Sequence, residues 1–316
     1  MKLLKGYASI LGATLFWGVS ATIAKYLFSL QAGGIAKIST LVLVQMRMSI
    51  SCILLIGILG VFDRQRLRIR RGDLPKLAAL GIFGIAGSNF FYYYTIQQAN
   101  VATAILLQYL APLLVLVYAA LSKTEDVTAK KIIAGTVSLI GCFLAVGGKD
   151  VSVFRLTNLG ILSGFAAAFC WAFTNIWLRR LLRDYAFVTV LAYAFIAASC
   201  FWMLFNPPWK IVEAAYSAET WGVFIGFALI SILIPHFLYF GGIRFLTASR
   251  AIITATFEPV IAIASAYLIL GESLVPVQIV GAVIVIAAIA ILQTSREHPA
   301  GSSGQPALVS PVDASE

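Results

Sequence analysis

Apolar runs of about twenty residues, separated by short polar or charged connections, follow one another along almost the whole chain. An α-helix of that length crosses the roughly 30 Å hydrocarbon core of a bilayer. The runs do not alternate with a period of two, which favours helices over a membrane β-barrel. We therefore predict an all-α polytopic membrane protein with ten transmembrane helices, at about 7–29, 40–62, 74–97, 101–122, 131–148, 157–178, 186–205, 220–242, 250–270 and 276–293. Residues 97–100 alone divide the third span from the fourth, which predicts a tight hairpin.

The pattern of the first five spans returns in the last five. Three residue pairs are 147 positions apart and three more are 154 apart: Pro112 and Pro259, Glu125 and Glu272, Tyr92 and Tyr239, then Gly6 and Gly160, Ser9 and Ser163, Trp17 and Trp171. Because each half holds an odd number of spans, the second half enters the membrane in the opposite orientation, an arrangement typical of alternating-access transporters. We predict two inverted five-helix repeats, residues 1–150 and 151–296, and a disordered cytoplasmic tail at 297–316 that is rich in Gly, Ser and Pro.

Composition agrees with a membrane protein. Of the 316 residues, 60% are hydrophobic and 11% are charged, whereas a soluble domain carries about 25% charged residues. The four cysteines fall inside apolar spans without metal-ligand spacing, so we expect no disulfide framework and no metal site. The first span is too long for the hydrophobic region of a signal peptide, so we expect no cleavable leader.

The basic residues lie mostly on one side of the predicted membrane. In a soluble protein the net charge of +10 would suggest nucleic-acid binding. Here 17 of the 23 Lys and Arg residues fall in one set of connections and termini, and five fall in the other set. Cytoplasmic connections carry such an excess. We therefore expect both termini in the cytoplasm, a lipid bilayer as the environment and no nucleic-acid partner.

Arg47 and Glu258 are the charged residues that fall well inside predicted spans. Charges at such depth are costly unless they are paired or line a cavity. Their depths differ by about 7 Å at a rise of 1.5 Å per residue, which permits contact without requiring it. Two interpretations stay open. The residues form a buried pair that only clamps helices together, or one or both face a cavity and meet a charged substrate or a proton.

Polar and aromatic side chains could line a pocket at the same depth. Asn89 and Tyr92 share one face of the third span, and the fourth span adds Gln108 and Tyr109. Further candidates for substrate binding are Trp17, Trp171, Asn175 and Tyr239, and His236 is a candidate proton relay with Glu258. Aromatic walls with few polar groups suit an amphipathic or aromatic solute, including a cation over a ring. Ordinary helix packing is the alternative for each single aromatic residue and for His236.

Pro112 and Pro259 stand at equivalent positions of the fourth and ninth spans. Proline removes a backbone donor and disturbs the preceding turn. The freed carbonyls are tolerated at that depth only where protein or cavity water satisfies them. We predict a kink in both spans, which is either static or a hinge that gates a cavity. Close helix packing is the expected role of five small residues, Gly81, Gly84, Ser88, Gly135 and Gly141.

Together these features resemble the EamA family of the drug/metabolite transporter superfamily. The resemblance covers about residues 5–295 and rests on the two five-helix halves and on Trp17, Trp171, Arg47, the paired prolines, Glu125 and Glu272. It implies a central cavity lined by helices one to four and six to nine, with helices five and ten peripheral, and alternating access in a bacterial inner membrane. The aromatic wall is similar in character to that of aromatic amino acid and methyl viologen exporters. One departure is Ala111, which stands where Glu258 stands in the second half.

The favoured function is a secondary active transporter that exports aromatic or neutral amino acids, or related amphipathic metabolites and drugs. The alternatives are a channel-like facilitator of small solutes, a carrier of nucleotide sugars or S-adenosylmethionine, and a non-transporting or lipid-handling membrane protein. The sequence contains no P-loop, metal-ligand spacing or Ser-His-Asp set, so we predict no enzyme activity and no cofactor. The expected partners are a small-molecule substrate and the lipid bilayer. A monomer is sufficient for the fold, and the oligomeric state stays open.

Overall fold

The bundle consists of long apolar helices in a computed structural model that describes residues 2–31, 40–99, 101–147, 157–271 and 273–294. Within these ranges, ten helices are long and apolar enough to cross a membrane, and we number them spans 1 to 10. The same ranges contain no β-strand. The prediction of an all-α protein with ten membrane-spanning helices is confirmed. The predicted tail at 297–316, Glu272 and the junction at residue 150 lie outside the described residues.

Six spans are single helices and four are built from segments. The single helices are Lys2–Gln31 (span 1), Thr40–Phe62 (span 2), Ala129–Gly147 (span 5), Asn158–Leu181 (span 6), Phe187–Phe205 (span 7) and Pro276–Gln293 (span 10). The segmented spans are Leu74–Ala79, Leu80–Ala86 and Gly87–Gln98 (span 3), Val101–Gln108 and Ala111–Ser122 (span 4), Ala218–Ala228, Leu229–Leu233 and Ile234–Ile243 (span 8), and Ala248–Ala255 and Glu258–Leu270 (span 9). The predicted hairpin between spans 3 and 4 is confirmed. Three short helices in the connections were not predicted: Arg64–Leu67, Arg71–Asp73 and Pro208–Glu213.

Spans 3 and 8 each contain π-helical turns, at Leu80–Ala86 and Leu229–Leu233. In a π-helix the backbone N–H that normally reaches the carbonyl four residues earlier is displaced, and such turns are frequent at functional sites. Hydropathy carries no signal for a change of helical register, so the sequence did not predict these turns. In span 8 the π-helical turns end just before Pro235, which has no N–H to continue an α-helical ladder.

Helices of the two halves interleave. Span 1 packs against spans 8 and 9, and span 6 packs in the same way against spans 3 and 4. Span 2 contacts span 7, and span 5 lies along span 10. This set of pairings is unchanged when spans 1–5 are exchanged with spans 6–10. The middle of the bundle is therefore lined by helices from both halves, while spans 5 and 10 pack on each other and otherwise against spans 4 and 9.

Glycines set the close approach of spans 5 and 10. A Cβ atom on Gly281 would lie 2.4 Å from the Ala145 backbone nitrogen and 2.7 Å from the Gly141 oxygen. A Cβ on Gly141 would lie 2.7 Å from a Val285 methyl carbon. On span 3, a Cβ on Gly81 would lie 2.4 Å from the Ala194 oxygen. The predicted packing role of Gly81 and Gly141 is confirmed, because backbone contact of this kind requires residues without a side chain. The matching role of Gly281 was not predicted.

We expect Gly281→Ala to lower the free energy of unfolding by about 1–3 kcal/mol, the usual cost of overpacking a tight contact. The added methyl group meets backbone atoms, which cannot rotate away, so spans 5 and 10 must separate. The matched control is Gly57→Ala on span 2, where a Cβ meets nothing within 4 Å. Thermal unfolding in detergent measures the effect. Equal unfolding midpoints for the two variants would contradict this account of the interface.

Spans 4 and 9 break in the turn before their prolines, as predicted. Span 4 stops at Gln108 and restarts at Ala111, and span 9 stops at Ala255 and restarts at Glu258. In both cases the proline cannot donate to the preceding turn, and its ring crowds the carbonyl four residues earlier. Pro112 and Pro259 are themselves buried. The two breaks bring polar atoms to the same level of the bundle, where the candidate site lies.

Candidate functional site

Arg47 reaches from span 2 to Asn89 on span 3. Its Nη2 donates a hydrogen bond to Asn89 Oδ1 at 2.8 Å. Its guanidinium carbon lies 5.4 Å from the centroid of the Tyr93 ring, within cation–π range. Within the described residues, the Arg47 Nε is buried and has no hydrogen-bond partner. An unsatisfied buried donor costs about 1–3 kcal/mol, so this N–H favours a bound solute that brings an acceptor.

Asn89 is held in place by the π-helical turns of span 3. Its Nδ2 donates to the Ile85 carbonyl oxygen at 2.8 Å. In span 8 the equivalent contact joins His236 Nδ1 to the Ile232 carbonyl oxygen at 2.9 Å, and both residue pairs are related by the 147-position offset. Since a carbonyl only accepts, Nδ1 of His236 carries the proton. Each side chain thus satisfies a carbonyl in a stretch where the backbone ladder changes register.

Glu258 is the first residue after the break in span 9, and it is a close neighbour of Tyr109 at the break in span 4. Tyr92 lies within electrostatic range of both Glu258 and Arg47. The direct pair of Arg47 with Glu258, which their depths allowed, is not among the ion pairs of the described ranges. Asn89 and Tyr109 are the respective neighbours instead. We call Arg47, Asn89, Tyr92, Tyr109 and Glu258 the polar cluster.

A cysteine satisfies a carbonyl that the proline break releases. The Val260 N–H bonds to the Phe257 oxygen at 3.1 Å, one residue short of its α-helical partner Thr256. The Thr256 oxygen accepts instead from Cys142 Sγ on span 5 at 3.6 Å. The sequence predicts no part for Cys142 in a disulfide or a metal site. Its contact could not be inferred from the sequence, because the two residues are 114 positions apart.

Four aromatic rings form a second group, the aromatic cluster, from Trp17, Trp171, His236 and Tyr239. The repeat mates Trp17 and Trp171 meet edge to face with ring centroids 5.9 Å apart. Trp17 also lies 5.4 Å from the His236 ring and 5.3 Å from the Tyr239 ring. The Tyr239 hydroxyl donates to Asn175 Oδ1, and Asn175 Nδ2 donates to the Trp171 carbonyl oxygen at 2.8 Å. The two tryptophans thus mark the place where the halves meet.

Burial divides the predicted site residues into two sets. Those that are half-buried at mid-span are Trp17, Arg47, Asn89, Tyr92, Gln108, Tyr109, Trp171 and Glu258. Asn175, His236 and Tyr239 are buried, and protein groups already partner the Asn175 amide, the Tyr239 hydroxyl and Nδ1 of His236. The first set can therefore touch a solute, whereas the second set shapes the wall behind it. Gln108 belongs to the first set and also joins span 4 to span 3, since its Nε2 donates to Ser88 Oγ at 3.0 Å.

Comparison with known proteins agrees with this architecture. The model of the EamA-like transporter family matches residues 4–147 and again residues 158–294. A solved crystal structure shares the fold with a TM-score of 0.71 at 17% identity, over 92% of this chain and 96% of the other.

Two curated relatives align over most of their length. YicL of Salmonella typhimurium, named an uncharacterized inner membrane transporter, is 23% identical over 302 residues, covering 94% of this chain and 97% of the relative. RhtA of Escherichia coli K12, named a threonine/homoserine exporter, is 26% identical over 272 residues, covering 85% of this chain and 84% of the relative.

Proposed function

Because the chain belongs to the EamA-like transporter family, we propose that it is a secondary carrier that exports amino acids or related amphipathic metabolites by alternating access. The observation that carries the proposal is the polar cluster. Spans 2, 3 and 4 of the first half supply Arg47, Asn89, Tyr92 and Tyr109, and span 9 of the second half supplies Glu258. A site divided between two halves changes its access when the halves tilt against each other.

The charges of the cluster suit a zwitterion. Among the described residues, Arg47 and Glu258 form no ion pair with each other, and the Arg47 Nε–H is buried without a hydrogen-bond partner. We assign the carboxylate of an amino acid to Arg47 and its ammonium group to Glu258, with Asn89, Tyr92, Gln108 and Tyr109 as further polar contacts. Trp17 and Trp171 take the apolar part of the solute. The relative named as a threonine/homoserine exporter supports this substrate class.

Two inverted halves, 1–150 and 151–296, are proposed as the moving parts. The twofold match of the family model supports this division, and so does the exchange symmetry of the helix pairings. Pro112 and Pro259 are the proposed hinges, since each already breaks its span near the polar cluster. Protonation of Glu258 or His236 is the proposed coupling step, because intramembrane carboxylates and histidines serve as proton carriers in pumps.

The proposed location is the inner membrane of a bacterium, with both termini in the cytoplasm. The excess of Lys and Arg in the connections after spans 2, 4, 6 and 8 supports this orientation. The relative named as an inner membrane transporter supports the location.

Counterflow into proteoliposomes tests the function. We expect saturable uptake of labelled threonine, phenylalanine, tryptophan or methionine, and we expect unlabelled solute preloaded inside to stimulate it. An open pore gives no such stimulation, so saturable counterflow separates a carrier from a channel-like facilitator. Liposomes without protein are the control. Uptake of none of the four amino acids would contradict the proposed substrate class.

A further inference from the structure

Glu125 joins the two halves of the protein at one end of the bundle. It follows span 4, and its Oε1 accepts from the Ala248 backbone N–H at 2.7 Å and from the Ser249 N–H at 3.4 Å. Its Oε2 accepts from the Ser249 hydroxyl and lies 3.4 Å from Lys131 Nζ at the start of span 5. The carboxylate therefore caps the first helix of span 9, where negative charge is favoured.

These contacts lie at the face that carries the basic connections after spans 2, 4, 6 and 8, which we call the basic face. The Lys131 side chain is 1% exposed and the Glu125 side chain 10%, so the interaction is shielded from solvent screening. A second contact between the halves lies at the same face, where Arg180 donates to the Tyr118 hydroxyl. Spans 4 and 9 are the two spans with proline breaks. Glu125 therefore links the ends of these two spans that lie at the basic face.

The repeat allows a sequence comparison with the opposite face. The offset of 147 relates Glu125 to Glu272, but it relates Ser249 to Ala102 and Lys131 to Gln278. A carboxylate at Glu272 therefore has neither a hydroxyl nor a cation at the equivalent sequence positions. Hydrogen bonds to a charged group are stronger than those between neutral groups. The residues at these equivalent positions therefore differ in chemistry between the two faces.

We infer that Glu125, Ser249 and Lys131 form a latch that makes closure of the basic face the more stable state of the carrier. The inference rests on the proposed alternating-access function. In the absence of solute, the polar cluster is then open to the opposite face. A solute can bind from the basic face only after the latch opens. Each side-chain contact without a counterpart at the equivalent positions of the opposite face shifts the ratio of the two states by about tenfold.

Pulsed spin-label distances test the latch. Labels on Leu121→Cys and Arg244→Cys, both exposed, report the separation of the ends of spans 4 and 8 at the basic face, in a background whose native cysteines are replaced. We expect mainly the short distance for the unaltered latch. Ser249→Ala and Lys131→Gln, which introduce the repeat-equivalent residues found at Ala102 and Gln278, should raise the ratio of a longer distance to the short one about tenfold each.

A reciprocal variant distinguishes loss of the latch from loss of folding. Ala102→Ser with Gln278→Lys places a hydroxyl and a cation at the repeat-equivalent positions of the opposite face and leaves the basic-face latch intact, and it should shift the distances in the same direction. The matched control is Ser217→Ala, which removes a hydroxyl that caps span 8 at its Thr220 N–H, 3.3 Å away, within one half. The control should leave the distances unchanged.

Unchanged distances in the reciprocal variant, or an equal shift in the Ser217→Ala control, would overturn the latch. The distance measurement needs no solute, so its outcome does not depend on whether the proposed substrate is correct. If the distances shift as expected but the protein shows no counterflow, the latch stands and the proposed amino-acid substrate is wrong. If counterflow occurs but every variant gives the same single distance, the carrier function stands and the latch is wrong.

Discussion

Glu258→Gln is expected to lower kcat/KM for amino-acid counterflow about ten- to a hundredfold, while the protein stays folded. A hydrogen bond to a charged group contributes about 1.5–3 kcal/mol, and the amide cannot bind an ammonium group as a carboxylate does. Glutamine has nearly the same shape and can still meet the Tyr109 hydroxyl. The structure around the break in span 9 should therefore persist. Initial rates in proteoliposomes, with thermal unfolding of the same preparations, measure both parts.

The matched control is Glu219→Gln, an exposed acidic residue in the first turn of span 8. It removes the same charge at a position away from the polar cluster and should leave transport unchanged. Unchanged flux in a well-folded Glu258→Gln variant would place Glu258 among the residues that only support packing. A large loss in both variants would point to an effect of net charge instead of a local contact.

Arg47→Gln is expected to raise KM about ten- to a hundredfold for a solute that carries a carboxylate. The guanidinium supplies a hydrogen bond to Asn89 at 2.8 Å and a second N–H that has no partner in the part of the chain that the structure describes. Loss of a charge-assisted hydrogen bond costs about 1.5–3 kcal/mol. The decisive comparison uses two competitors in the same counterflow assay, phenylalanine and its decarboxylated amine. Only inhibition by phenylalanine should weaken, because the amine has no group for Arg47.

Arg68→Gln, in the exposed connection between spans 2 and 3, is the control for the loss of one arginine. It should change inhibition by neither competitor. If Arg47→Gln weakened both competitors equally, the role of Arg47 would be to hold span 2 against span 3. Loss of the Asn89 contact lowers stability in either case, so the selectivity between the two competitors is the informative quantity.

The sequence alone determined the elements of this protein. The ten spans, the tight hairpin after Gln98, the breaks before Pro112 and Pro259 and the glycine contacts of span 5 are as predicted. Each of these features depends on local chemistry: the length of an apolar run, the missing N–H of proline or the missing side chain of glycine. These local properties do not depend on which helices are neighbours.

Only the tertiary structure decided the partners. Arg47 contacts Asn89 and not Glu258, Cys142 meets the Thr256 carbonyl, and Glu125 caps span 9 of the other half. The rise of 1.5 Å per residue places a side chain in depth, but hydropathy does not say how far each helix is rotated or where its register widens to π-helical turns. Rotation and register decide which polar atoms meet across helices, and they are set by the packing of the whole bundle.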